Sequence, residues 1–138
     1  MKRLLVLALA VSLSAISCKT ETKNAGPTQM ETVMAVHDSL MPKMSTVNKL
    51  IGELNAKADT TEVGLKYNAA KEDLQAAHKS MMDWMQDFGT KFDHEEILKG
   101  KELSEEKKAL LDEEEKEVTA LKEQINTSIE NAEKLLAE

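Results

Sequence analysis

The connection Ala58-Asp59-Thr60-Thr61-Glu62 decides how this chain folds. Apolar residues recur at helical spacing on both sides of it, while the connection itself is polar. Asp59-Thr60-Thr61-Glu62 reads as a helix-start signal, a small polar residue with an acid three places on. One helix therefore ends near Ala58 and the next begins almost at once. So short a connection sends the second helix back antiparallel along the first. Residues facing each other across the pair then have numbers summing to about 118.

Upstream, Thr28-Gln29-Met30-Glu31 is a capping box, and a first helix is predicted over 28–58. Its heptad seam is Met30, His37, Met44, Ile51 and Ala58. Val33, Leu40, Val47 and Leu54 are companions, with Met34 and Met41 alongside. Pro42 lies inside this run and has no N–H for the carbonyl of Asp38. A kink is expected near 38–42; the alternative is a break, with Pro42 opening a new helix.

Downstream, a second helix is predicted over 60–88, with a seam of Tyr67, Leu74, Met81 and Phe88. Val63, Ala70, Ala77 and Trp84 lie beside that seam, and Gly89 reads as the stop. Residues 90–100 read as irregular or one short turn, opened by Asp93-His94-Glu95-Glu96, with His94 exposed and Ile97 and Leu98 as a plug. A third long helix is predicted over 104–137, with Leu111, Val118, Ile125 and Ala132 as its seam. Glu114 and Ser128 interrupt that seam, and the run Asp112 to Glu117 reads as a solvated helix face. Three helices of about 40–50 Å make an all-α fold, an antiparallel up-down-up three-helix bundle with coiled-coil character over 28–138.

The start of the chain reads as a targeting segment. Met1-Lys2-Arg3 is basic, and the apolar run Leu4 to Ile16 is short of the about 20 residues that span a bilayer. Residues 1–17 thus have the layout of a secretory signal. Ala15-Ile16-Ser17-Cys18 resembles a bacterial lipobox, with Ala15 where Leu is usual. That resemblance implies lipidation of Cys18 after cleavage. Residues 18–27, polar and containing Gly26 and Pro27, read as a flexible tether. The expected place is the cell envelope, lipid-anchored at the outer membrane and facing the periplasm. A single Cys allows no intrachain disulfide.

Loss of residues 1–17 removes Lys2 and Arg3 and leaves 16 basic against 25 acidic residues, about −9. Such a surface argues against nucleic acid as a partner. The expected partners are the membrane, through the lipid, and an envelope protein.

Two stretches could carry chemistry: His37-Asp38-Ser39-Leu40-Met41-Pro42-Lys43-Met44 and His78-Lys79-Ser80-Met81-Met82-Asp83-Trp84-Met85. Each has a His followed by Met four and seven residues later, offsets that share one helix face. The antiparallel turn sets His37 level with Met81, Met41 with His78, and Met34 with Met85. His37, Met41, Met44, His78, Met82 and Met85 are therefore candidate ligands of one layer. Neutral thioethers with imidazole suit Cu(I). Calcium or magnesium would call for carboxylates, and zinc for Cys or carboxylate to complete four ligands. Haem has no Cys-x-x-Cys-His here and little room in three helices. The competing reading is packing: Met fills gaps where aromatics are few, and a His on an apolar face bonds a backbone carbonyl, that of Asp38 being free. A Met-rich face also suits a partner helix. Enzyme signatures are missing: no Ser/His/Asp pattern with a nucleophile turn, no Gly-rich phosphate loop, no His-Glu-x-x-His. His37 and Asp38, as sequence neighbours, are expected to point apart rather than form a dyad.

The residues Val36-His37-Asp38-x-x-Met41-Pro42-Lys43-Met44 and His78-Lys79-Ser80-Met81-Met82-Asp83-Trp84-Met85-x-x-Phe88 resemble those of small Bacteroidota-type lipoproteins often labelled "viral A-type inclusion protein". The resemblance runs from signal to C-terminus. It implies a lipid-anchored helical protein with no viral role and no assigned activity.

Overall fold

The computed structural model describes residues 27–138, so the signal segment, Cys18 and most of the tether lie outside the described residues. The fold is all-helical: α1 is Gln29–Lys57, α2 Glu62–Lys91, α3 His94–Leu98 and α4 Glu105–Ala137. The three long helices each pack against the other two.

The helix starts follow the cap chemistry. Thr28 Oγ1 accepts from the Glu31 N–H while the Glu31 carboxylate accepts from the Thr28 N–H, a reciprocal box. Asp93 and Glu96 make the same box at α3. Ser104 caps α4 through the Lys107 N–H. At the connection after α1 the cap is Thr61, whose hydroxyl accepts from the Gly64 N–H at 3.0 Å. Asp59 instead accepts from the N–H and hydroxyl of Thr61, folding the turn on itself. Gly64 is buried beneath that carboxylate; a Cβ there would overlap it and lie 2.6 Å from the Asp59 backbone nitrogen.

Three expectations of helix geometry are corrected. α1 runs through Pro42 without a break, so no new helix starts there. Pro42 is exposed, and within a helix of 29 residues the loss of one backbone bond is outweighed by packing on both sides. Gly89 does not stop α2, which continues to Lys91. Helical φ/ψ persists there because Phe88 and Phe92 both pack inward, and the Phe92 N–H still closes onto the Phe88 carbonyl at 3.1 Å before the chain turns extended. Of the expected plug, Ile97 is half-buried against the core, but Leu98 is 66% exposed; Phe92, at 2%, fills that end.

The expected seams of α2 and α4 are buried but for Tyr67, whereas in α1 the core lies mainly along the companion column, joined by Met30 and Met44 of the seam. Val33, Leu40, Val47 and Leu54 of α1 are fully buried, whereas His37 and Ile51 are only half-buried. α2 contributes Leu74, Ala77, Met81, Trp84 and Phe88; Tyr67 and Ala70 are half-buried and Val63 is exposed. α4 contributes Leu111, Val118, Leu121, Ile125 and Ala132. Trp84, Phe88 and Phe92 form one aromatic column, with ring centroids 4.9 and 4.8 Å apart. Three of the four aromatics are thus concentrated at one end, Tyr67 lying near the turn, and aliphatics with Met44 and Met81 fill the middle, Met30 being the third buried methionine.

Candidate functional site

The six candidate ligands divide by exposure. Met44 is buried at 7%, His37 and His78 are half-buried, and Met41, Met82 and Met85 stand 38–39% exposed. Cys18 lies outside the described residues. His94 is exposed, as expected.

The flanks carrying these residues face each other. The Lys43 ammonium donates to Asn126 of α4, so that flank of α1 turns toward α4. Ser80 and Asp87 line a groove of about 520 Å³ shared with Glu117 and Gln124 of α4. At 100° per residue, Met41 sits about 160° around the helix from Lys43, and Met85 about 160° from Asp87. The histidine and methionine flanks of α1 and α2 are therefore those that meet at the α1–α2 seam.

The level along that seam differs from expectation. His37 packs on Trp84, three residues past the Met81 expected at its level, with ring centroids 5.8 Å apart at 31°. Near the turn, Lys57 lies over Tyr67, 5.3 Å from its centroid. Helical side chains lean toward their own N-terminus, which in an antiparallel pair raises the facing sum by about two over the backbone value. With the helix ends at Lys57 and Glu62 the backbone sum is 119, so the 121 of His37–Trp84 follows, and the 124 of Lys57–Tyr67 adds the reach of a long lysine side chain. At that level His37 comes opposite Met85, Met41 opposite Met82, and Met44 opposite His78.

A second correction concerns His37 and Asp38. Their side chains do meet: His37 Nδ1 lies 2.9 Å from Asp38 Oδ1. The ionised carboxylate only accepts, so Nδ1 is the donor, and in the neutral ring Nε2 is the nitrogen with the lone pair. Neighbouring Cβ vectors diverge by about 100°, yet a short Asp side chain folds back far enough to reach the near edge of the ring. The free carbonyl of Asp38 is not the partner. His78 makes no hydrogen bond among the described residues.

Sequence reasoning missed one polar cluster. Glu114, expected on a solvated face, is fully buried. Its Oε1 accepts from Lys91 Nζ at 2.5 Å, and Oε2 has no partner. Lys91 also pairs with Asp87 at 2.5 Å, and these two carboxylates hold its ammonium above the ordinary lysine range. Asp87, Glu114 and Glu117 offer oxygens within 4.8 Å of one another. Lys91 is the cation of that cluster. The only signal in the sequence was that Glu114 falls on the Leu111–Val118 seam.

A related pair closes the α3 corner. Lys107 donates to the buried Glu96 carboxylate at 2.5 Å, and Lys101 to Asp93 at 2.8 Å. Lys101, with backbone N–H groups of α3, holds the Asp93 carboxyl down to about 2. Lys107 likewise lowers Glu96.

No helix among the described residues is long and apolar enough to cross a membrane. No family model, curated protein or solved structure matches the chain.

Proposed function

We propose that this chain is a lipid-anchored protein of the cell envelope that serves as a structural or interaction module and not as an enzyme. Cys18 carries the lipid, and residues 18–27 tether the fold to the outer membrane on its periplasmic side. α1, α2 and α4 form an antiparallel up-down-up three-helix bundle. The pairings along the helices support that topology. Gln29 bonds Asp112 and Lys43 bonds Asn126, so α1 and α4 advance together. Residues 66–73 share a groove with 131–138, and 80–87 with 117–124, so α2 runs against α4. The resemblance to small Bacteroidota-type lipoproteins belongs to the same reading.

The observation that carries a binding role is the flank of Met41, Met82 and Met85, three unbranched apolar side chains left about two-fifths exposed together. Methionine surfaces adapt to partners because the side chain has three soft torsions and a polarisable sulfur. Ten residues span at most about 35 Å even when fully extended, which keeps the flank near the membrane. Two measurements test this. Metabolic labelling with a palmitate analogue should mark the wild type and not Cys18→Ser, and the variant should leave the membrane fraction. A photo-crosslinking residue at position 82 should trap a discrete envelope protein that one at position 116, on the far side of α4, does not. Unlabelled wild type would remove the anchor, and equal crosslinking from both positions would remove the interaction face.

A further inference from the structure

The geometry points to a soft-metal site at the α1–α2 seam, in which His37, Met41, Met82 and Met85 bind one Cu(I) ion. This inference rests on the same Met41, Met82 and Met85 flank as the interaction reading but not on the lipid anchor, since ion binding does not depend on whether Cys18 is acylated.

Four observations converge. His37 and Met41 are one turn apart on α1, and Met82 and Met85 one turn apart on α2. The seam level given by the His37–Trp84 contact sets His37 opposite Met85 and Met41 opposite Met82. The four thus occupy two adjacent turns of one seam, a separation of about 5–6 Å along the axis. Next, His37 is already oriented as ligating imidazoles are: a carboxylate accepts from one ring nitrogen, which fixes the tautomer and leaves the other to bind. Third, the three thioethers are reachable from solvent, whereas Met44 and Met81 are buried in the core and excluded. Last, the donor set has no carboxylate and no thiolate. Among the described residues, neither His37 nor His78 joins a three-member group of His, Cys, Asp and Glu that would suit a harder ion. One imidazole with three neutral sulfurs selects a soft monovalent cation.

This assignment narrows the six candidates to four. By that register His78 comes opposite Met44, which is buried at 7% and closed to a solvent ion. His78 is therefore outside the site.

The test uses the purified full-length protein in detergent, with Cu(I) held reduced and a chromophoric chelator as competitor. Wild type should take one equivalent. Met41→Leu/Met82→Leu/Met85→Leu keeps volume and apolarity, so it should fold, as circular dichroism will verify, and should lose at least about a hundredfold in affinity. Asp38→Asn, which leaves every ligand in place, should weaken binding about ten- to hundredfold. His78→Ala should bind as wild type does. Ag(I) in place of Cu(I) should quench Trp84, which adjoins His37, in wild type and not in the triple variant. Wild type binding no better than the triple variant would overturn the site. So would a loss in His78→Ala as large as in the triple variant, or binding that leaves Trp84 emission unchanged.

Discussion

Replacing Lys91 by Met should damage this fold more than any other single charge removal. Glu114 is fully buried, and its one partner is the Lys91 ammonium at 2.5 Å. With that ammonium gone, the carboxylate is left charged and unpaired inside the helix packing, a situation that costs about 3–5 kcal/mol. In a fold of this size that is a drop of roughly 12–20 °C in Tm. The reverse deletion is not symmetrical. In Glu114→Met the lysine is still paired with Asp87 at 2.5 Å and partly in water, and the orphaned Oε2 disappears with the carboxylate. That variant should lie within about 1 kcal/mol of wild type, on either side. The double variant should sit beside Glu114→Met, so the cycle returns a coupling of about 3–5 kcal/mol, the whole cost of Lys91→Met. Urea unfolding followed by far-ultraviolet circular dichroism measures all four proteins with one slope. If Lys91→Met costs under about 1 kcal/mol, or the two single variants cost the same, Glu114 is not held as a buried, singly partnered charge and the reasoning fails.

Other consequences are simpler. Gly64→Ala should destabilise by about 1–3 kcal/mol, because the new Cβ falls on Asp59, whereas Gly52→Ala and Gly89→Ala, with nothing within 4 Å, should stabilise by roughly 0.5–1 kcal/mol each; thermal melts of the three decide it, and a neutral Gly64→Ala would show that the turn gives way. Phe92→Ala should cost about 3–5 kcal/mol, since Phe92 closes the aromatic column at 2% exposure, and Leu98→Ala almost nothing. The α3 corner should loosen in acid: Asp93 and Glu96 have lowered folded pKa values, so their stabilisation is complete above the ordinary carboxylate range and fades as the pH falls from about 5 toward 2. Protection of the Glu95 and Glu96 amides, taken as exchange relative to the intrinsic rate at each pH, should fall over that window in wild type and be low throughout in Asp93→Ala; a flat protection profile would refute the linkage.

What the sequence made legible is what local chemistry controls. The boxes at Thr28 and Asp93 and the cap at Ser104 depend on residues within four places of one another, and the helices begin there. The heptad columns of α4 are read directly because Leu111, Val118, Ile125 and Ala132 recur without competition. Illegible features depend on a partner far along the chain. Glu114 looks like its neighbours in an acidic run until Lys91, 23 residues earlier, is placed beside it. Gly89 has the chemistry of a stop, yet Phe92 must reach the aromatic column, and only continued helix delivers it. The shift of His37 from Met81 to Trp84 comes from side-chain lean, which a turn position alone does not encode. The His37–Asp38 contact escaped a rule about Cβ directions because it is made by side-chain termini.

That contact and the exposure pattern bear on what the methionines are for. A methionine that fills a core gap is buried, since its benefit comes from removing a thioether chain from water and must exceed the loss of three torsions. Met44 and Met81, at 7% and 0%, meet that condition. Met41, Met82 and Met85 do not: each keeps about two-fifths of its surface in solvent, and a Lys or Glu at those places would cost little and favour solubility more. Packing therefore accounts for the buried methionines and leaves the exposed three unexplained. By the register drawn above they fall within two adjacent turns of an imidazole whose Nδ1 is held by a carboxylate. An ion and a partner helix are the two occupants that would bury them, and only the ion makes use of the Asp38 carboxylate behind His37. Asp38→Asn separates the two: it leaves an apolar partner's contacts intact and weakens a metal.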